Sequence, residues 1–251
     1  MNTQAEAEQP NELEESRMGF LEHLDELRHR IMRIVVVLFL AALASFTYAD
    51  DLFVILQQPL KDLPDSAMIV LTPLEMFVTH LKIAAVAGIF VTSPWALFQL
   101  WLFIAPGLYG AEKKWIAPFV ILGTLSFCTG GAFAFYIVMP MGFEYLVAMV
   151  PDTVSAQYSV AAYFTLVIRL LLAFGVVFEL PLVMWMLAAA GVMNPAKLQG
   201  LRKYWIVIAV ILAAFFTPPD PFTQMLMAVP LMLFFEIGLL GARFIYRDPK
   251  S

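Results

Sequence analysis

Six long apolar runs divide the chain, at about Ile31 to Ala49, Phe77 to Ile104, Pro118 to Pro140, Tyr163 to Ala190, Trp205 to Phe216 and Phe222 to Gly241. They are continuous and lack the period-two alternation of a barrel wall, so the pattern predicts helices rather than strands. The expected class is all-α: a polytopic membrane protein with six transmembrane helices. Two runs are unusual. The fifth, about a dozen residues, covers roughly 18 Å as a helix against a hydrocarbon thickness of about 30 Å. It either thins the bilayer around it or extends into Arg202 to Tyr204 with snorkelling side chains. The sixth is interrupted by Pro230 and Glu236, so its uninterrupted apolar part is also short. Ahead of the first run, Phe20, Leu21, Leu24, Leu27 and Ile31 recur every three to four residues, with Glu22, Glu26, Arg28 and Arg30 mainly off that face. This is the start of an amphipathic, interfacial helix leading into the first span. No internal repeat is visible.

Composition agrees with lipid as the solvent: 61% of the 251 residues are apolar and 14% charged. Six spans of roughly 20 residues fill such a length and leave no room for a separate soluble catalytic domain. The domain reading is a short acidic tail over 1–19, expected to be disordered around Pro10 and Asn11, a membrane domain over 20–246, and a short tail over 247–251. The polar, acidic start is unlike a cleaved signal peptide, so the N-terminus is expected to stay on the mature protein. Cys128, the single cysteine, lies in an apolar run, allows no intrachain disulfide and reads as a small hydrophobe.

Charge sets an expected orientation. Arg17, Arg28, Arg30, Arg33, Lys113, Lys114, Lys197, Arg202, Lys203, Arg243, Arg247 and Lys250 fall on one side of the six spans. The other side has Lys61 among Asp50, Asp51, Asp62, Asp65, Glu75, Glu144, Asp152 and Asp220. Basic loops stay inside, so both termini are predicted in the cytoplasm. The formal net charge of −5 and the membrane-edge position of the cations argue against nucleic acid as a partner.

Several polar groups stand out against this background. In His23-Leu24-Asp25-Glu26-Leu27-Arg28-His29-Arg30 the carboxylates have two readings, local pairs with Arg28 or Arg30 on a solvated face, or a site for an incoming cation. Glu112, the one acid of the turn-rich loop from Phe103 to Lys114, is open in the same way: a pair with Lys113 or Lys114, or a partly dry acceptor for a guanidinium. Within the runs lie His80, Lys82, Arg169, Glu179 and Glu236, groups that are costly in lipid and face protein or water. His80 and Lys82 are near enough to a helix end to snorkel. Arg169 and Glu179 are about 15 Å apart along one helix, too far for an ion pair. Pro181 frees the carbonyl of Val177 beside Glu179, which favours a functional role for that acid. Thr217-Pro218-Pro219-Asp220-Pro221 is a rigid turn that makes the last two helices a hairpin, and Gln224 with Thr217 either binds a partner helix or is satisfied inside that hairpin.

Taken in order, His23-Leu-x-Glu26-Leu-Arg28-x-Arg30, Phe103-Ile-Ala-Pro106-Gly-Leu-Tyr109 with Glu112, Phe178-Glu179-Leu-Pro181 and Thr217-Pro218-Pro-Asp220 resemble the TatC family, from about Phe20 to Tyr246. The resemblance implies a cup-shaped, six-helix protein at the core of a twin-arginine translocase. It would bind signal peptides carrying paired arginines and, with single-span TatA- and TatB-type partners and further TatC copies, move folded proteins outward on the proton-motive force. By matched position it implies signal-peptide binding by Glu26 and Glu112 with Phe103 and Arg28, intramembrane polar or partner-contact roles for Glu179, Thr217 and Gln224, and an outer turn at Pro218 and Asp220. A competing reading from the charged, proline-broken spans is a small ion-coupled transporter or channel. The chain has no G-x-S-x-G turn, H-E-x-x-H helix or P-loop, so neither an enzyme nor a metal or other cofactor is expected, and energy for transport must come from an ion gradient or a partner.

Overall fold

The computed structural model describes residues 5–61, 67–104, 116–151, 153–154, 157–189, 191 and 194–246. Among them the chain runs through α1 (Ala5–Phe46), α2 (Ala49–Leu56), α3 (Gln58–Lys61), β1 (Ala67–Ile69), α4 (Glu75–Ile104), α5 (Ile116–Phe133), a π-helical segment (Ala134–Val138), α6 (Met139–Ala148), β2 (Gln157–Ser159), α7 (Val160–Ala189), α8 (Pro195–Gly200), α9 (Arg202–Phe216) and α10 (Pro221–Ile245). Five stretches are long and apolar enough to cross a membrane: 23–46 in α1, 75–103 in α4, the continuous 117–148, α7 and α10. The remaining crossing is α9, 15 residues long. It begins at Arg202, so the extension into Arg202 to Tyr204 is what occurs, and at about 1.5 Å per residue it still reaches only roughly 22 Å.

Three boundaries differ from those read off the sequence. The third span does not stop at Pro140 but continues to Ala148. Proline lacks an N–H and its ring crowds the carbonyl four residues back, and the chain absorbs this by widening to the π-helical segment just before Met139-Pro140 instead of ending. Likewise α10 runs through Pro230 and past Gly241 to Ile245. At the other extreme α1 begins at Ala5, inside the stretch expected to be disordered. Glutamate, glutamine, alanine and leucine are good helix formers, and acids in a helix's first turns complement its dipole.

The central helix is α7, packed on α4, α5 and α10. Its Phe164, Val167 and Phe174 are fully buried. Lipid is as apolar as these side chains, so their packing against neighbours depends on van der Waals fit and close approach rather than on escape from water. Gly130 shows the requirement: a Cβ there would overlap the carbonyl oxygen of Phe174 and come within 2.8 Å of its carbon. By contrast α1 packs chiefly on α4 among the described residues, and its apolar stretch leaves Met32, Val36, Phe39 and Leu43 exposed.

One end of the bundle is closed by β1 and β2, which pair in parallel with Ala67 opposite Gln157 and Ile69 opposite Ser159. Glu75 joins this pair to two helix starts. Its Oε2 accepts from Leu71 N (2.6 Å) and Thr72 N (3.2 Å), and its Oε1 from Ser159 Oγ (2.9 Å) and Ala161 N (2.7 Å). Nearby, His80 pairs with Asp50 at 3.3 Å and the Lys82 amine donates to Thr165 Oγ1 at 3.1 Å, so both groups expected to snorkel have protein partners.

At the same end, Asp220 caps α10 by accepting from the backbone N–H of Thr223 (2.8 Å) and from its hydroxyl. The hairpin of α9 and α10 is tied at three levels: Gln224 Nε2 donates to Val210 O (3.2 Å), Trp205 Nε1 to Leu231 O (3.1 Å), and Arg202 pairs with Glu236 (2.6 Å). Of the two readings for Gln224 and Thr217, these bonds favour satisfaction within the hairpin, since the Thr217 hydroxyl also donates to Ala213 O at 2.8 Å.

Candidate functional site

The opposite end of the bundle holds the start of the apolar stretch of α1 and the end of α4. Here α1 and α4 bring together His23, Glu26, Arg30, Gln99 and Phe103. On α1, positions 23, 26 and 30 are three and four residues apart and share one face, as do 99 and 103 on α4. Arg30 Nε donates to Glu26 Oε1 at 3.0 Å, its Nη2 donates to the same oxygen, and its Nη1 donates to Gln99 Oε1 at 3.3 Å. The His23 ring stacks on Phe103 with centroids 4.2 Å apart and planes 12° from parallel. Its Nδ1 lies 3.7 Å from Glu26 Oε2, beyond hydrogen-bond length.

Of the residues expected to bind a signal peptide, Glu26 and Phe103 are therefore neighbours, linked through His23. Arg28 is exposed on α1. Glu112, with its loop over 105–115, lies outside the described residues. The local pair of Glu26 with Arg30 is real, yet the Glu26 side chain keeps 35% of its surface exposed, so the carboxylate remains reachable. Gln99 was not among the candidates. Its position four residues before Phe103 was the available signal, but a lone glutamine in an apolar run carries no charge to draw notice.

Glu179 occupies a different environment, in the middle of α7. It is buried, and neither carboxylate oxygen has a hydrogen-bond partner among the described residues. Gly123 of α5 makes the room: a Cβ there would sit 3.2 Å from Glu179 Oε2. The polar notch expected beside Pro181 involves the next carbonyl along, where Ser126 Oγ donates to Phe178 O at 2.7 Å. Arg169, on the same helix, is exposed. Thr217, Pro218, Asp220 and Gln224 sit at the far end, in the hairpin, and belong to neither acid. Among the described residues no cluster of histidine, cysteine, aspartate and glutamate has the makings of a metal site.

These features define an all-α integral membrane protein of six crossing helices, with one carboxylate set among cations at a rim and another enclosed within the spans. The family model for Sec-independent protein translocase protein (TatC) matches residues 22–230. A relative of that name from Halothiobacillus neapolitanus is 41% identical over 238 residues, covering 94% of this chain and 65% of its own length. Those from Magnetococcus marinus and Aquifex aeolicus are 39% and 37% identical over 93% of this chain, which spans 87% and 98% of them. A crystal structure of a twin arginine translocase receptor, TatC, superposes with a TM-score of 0.82 at 37% identity, over 90% of this chain and all of that one. The chain belongs to the TatC family, and the protein is accordingly a membrane-embedded translocase component.

Proposed function

We propose that the protein is the signal-reading core of its translocase: Glu26 and Glu112 receive the two arginines of a twin-arginine signal peptide, beside Phe103 and Arg28. The observation that carries this is the carboxylate of Glu26, reachable at the rim yet held among cations that need no second acid to orient the chain. Two acids suit two adjacent guanidinium groups, and partial desolvation at a membrane edge strengthens each pair. The proposed orientation puts this rim and both termini in the cytoplasm of the inner membrane. Folded cargo would then move outward on the proton-motive force, with TatA- and TatB-type partners and further TatC copies docking along the short, lipid-mismatched hairpin.

Recognition is tested by titrating a labelled signal peptide against the purified protein. Charge-assisted hydrogen bonds are worth roughly 1.5–3 kcal/mol, so Glu26→Gln and Glu112→Gln should each weaken binding about 10-fold or more. A peptide with lysines in place of its arginines should also bind worse, because the ammonium keeps the charge but lacks the planar fork. Unchanged affinity in both single variants removes recognition from these acids. For orientation, cysteines placed at Asp62, Asp152 and Asp220 should react with an impermeant reagent added outside intact cells. Protection at all three reverses the topology.

A further inference from the structure

Arg30 is an arginine already seated on the acid that is proposed to receive one. Two of its donors converge on a single oxygen, Glu26 Oε1. Oε2 is left without a hydrogen bond among the described residues; the nearest ring nitrogen, His23 Nδ1, stands 3.7 Å away. This is not the arrangement an isolated arginine and carboxylate prefer, which is the parallel fork using both oxygens. Nη1 is drawn to Gln99 Oε1 at 3.3 Å, and Gln99 is 3% exposed, so its amide is held by packing on α4 rather than by solvent. Arg30 itself is only 17% exposed and is bonded on both sides.

We propose that Gln99 is a positioning residue for signal recognition: by holding Nη1 of Arg30 it confines that guanidinium to Oε1 of Glu26 and keeps Oε2 open for the arginine of the signal peptide. The inference rests on the reading that Glu26 binds that arginine. It adds why a site with its own built-in arginine is not self-blocked. A carboxylate fixed in one rotamer, with one oxygen satisfied and one open, also loses less freedom when the peptide arrives. Without the Gln99 acceptor, Arg30 rotates onto both oxygens and closes the site.

The test is peptide titration in detergent or nanodiscs with arginine-pair and lysine-pair signals. Gln99→Met keeps the side-chain volume and removes the acceptor. It should weaken the arginine-pair signal about 10-fold and the lysine-pair signal less, so the preference for arginine shrinks. Adding Arg30→Gln should restore affinity towards the starting value, because no guanidinium remains to cover Oε2. A residue that merely supports helix packing would show no such rescue. Gln99→Asn, whose amide ends one methylene short, is read in the same way should Gln99→Met fail to fold. Unchanged arginine-signal affinity in the Gln99 variants, equal weakening of both signals, or absence of rescue by Arg30→Gln each overturns the proposal. Glu26→Gln separates the two levels: if it binds as well as the starting protein, recognition by Glu26 fails first, and if it alone is weakened, only the role of Gln99 fails.

Discussion

Glu75→Leu should destabilise the protein, read as a large drop in the thermal unfolding midpoint in detergent. The side chain is buried at the start of α4 and accepts four hydrogen bonds, two from the turn before its own helix and two from the entry of α7. Leucine fills the volume but leaves three backbone N–H groups and the Ser159 hydroxyl without that acceptor. Each buried donor left unpaired costs about 1–3 kcal/mol, less where water can enter. Glu75→Gln should lie between, since its amide keeps one acceptor oxygen but turns two N–H donors towards donors. A midpoint for Glu75→Leu within experimental scatter of the starting protein would show that water replaces the carboxylate at this end of the bundle.

Glu179→Leu should do the reverse and raise stability by about 1–3 kcal/mol, because it removes a buried polar group that has no partner among the described residues. The neighbours Gly123 and Leu182 offer an apolar setting for the new side chain. Transport should fall in the same variant, since a destabilising acid kept inside a span is the pattern of a group retained for use. Thermal unfolding and export assays on one preparation decide it. A protein that is both less stable and fully active would make Glu179 a structural residue whose partners are water.

How far these sites are legible in the sequence depends on the kind of signal each residue sends. Span positions were legible because apolar runs are long and their physical reason is local. The end of the third span was not, since Pro140 reads as a stop unless the turn before it can loosen, and that is a property of backbone packed within a bundle. Glu26, Phe103 and Glu179 were legible as charged or aromatic groups in marked places. Their surroundings were not: the stack of His23 on Phe103 and the reach of Arg30 to Gln99 join residues 80 and 69 positions apart in the chain, and no periodicity within either helix encodes the meeting. Glu75 was noted only as an acid on the less basic side, because its donors come from Ser159 and Ala161 as well as from its own turn.

That separation also sets an order of assembly. The Glu75 carboxylate and its partner Ala161 N–H are 86 residues apart in the chain, which at a synthesis rate of about 5–20 residues per second is an interval of roughly 4–17 s. During it α4, α5 and α6 emerge while two of the four donors to Glu75 do not yet exist. The parallel strand pair must wait as well, since β2 is made immediately before α7. The far end of the bundle is therefore a late-closing joint, and a nascent chain halted before Ser159 holds a half-satisfied acid at the mouth of its second span.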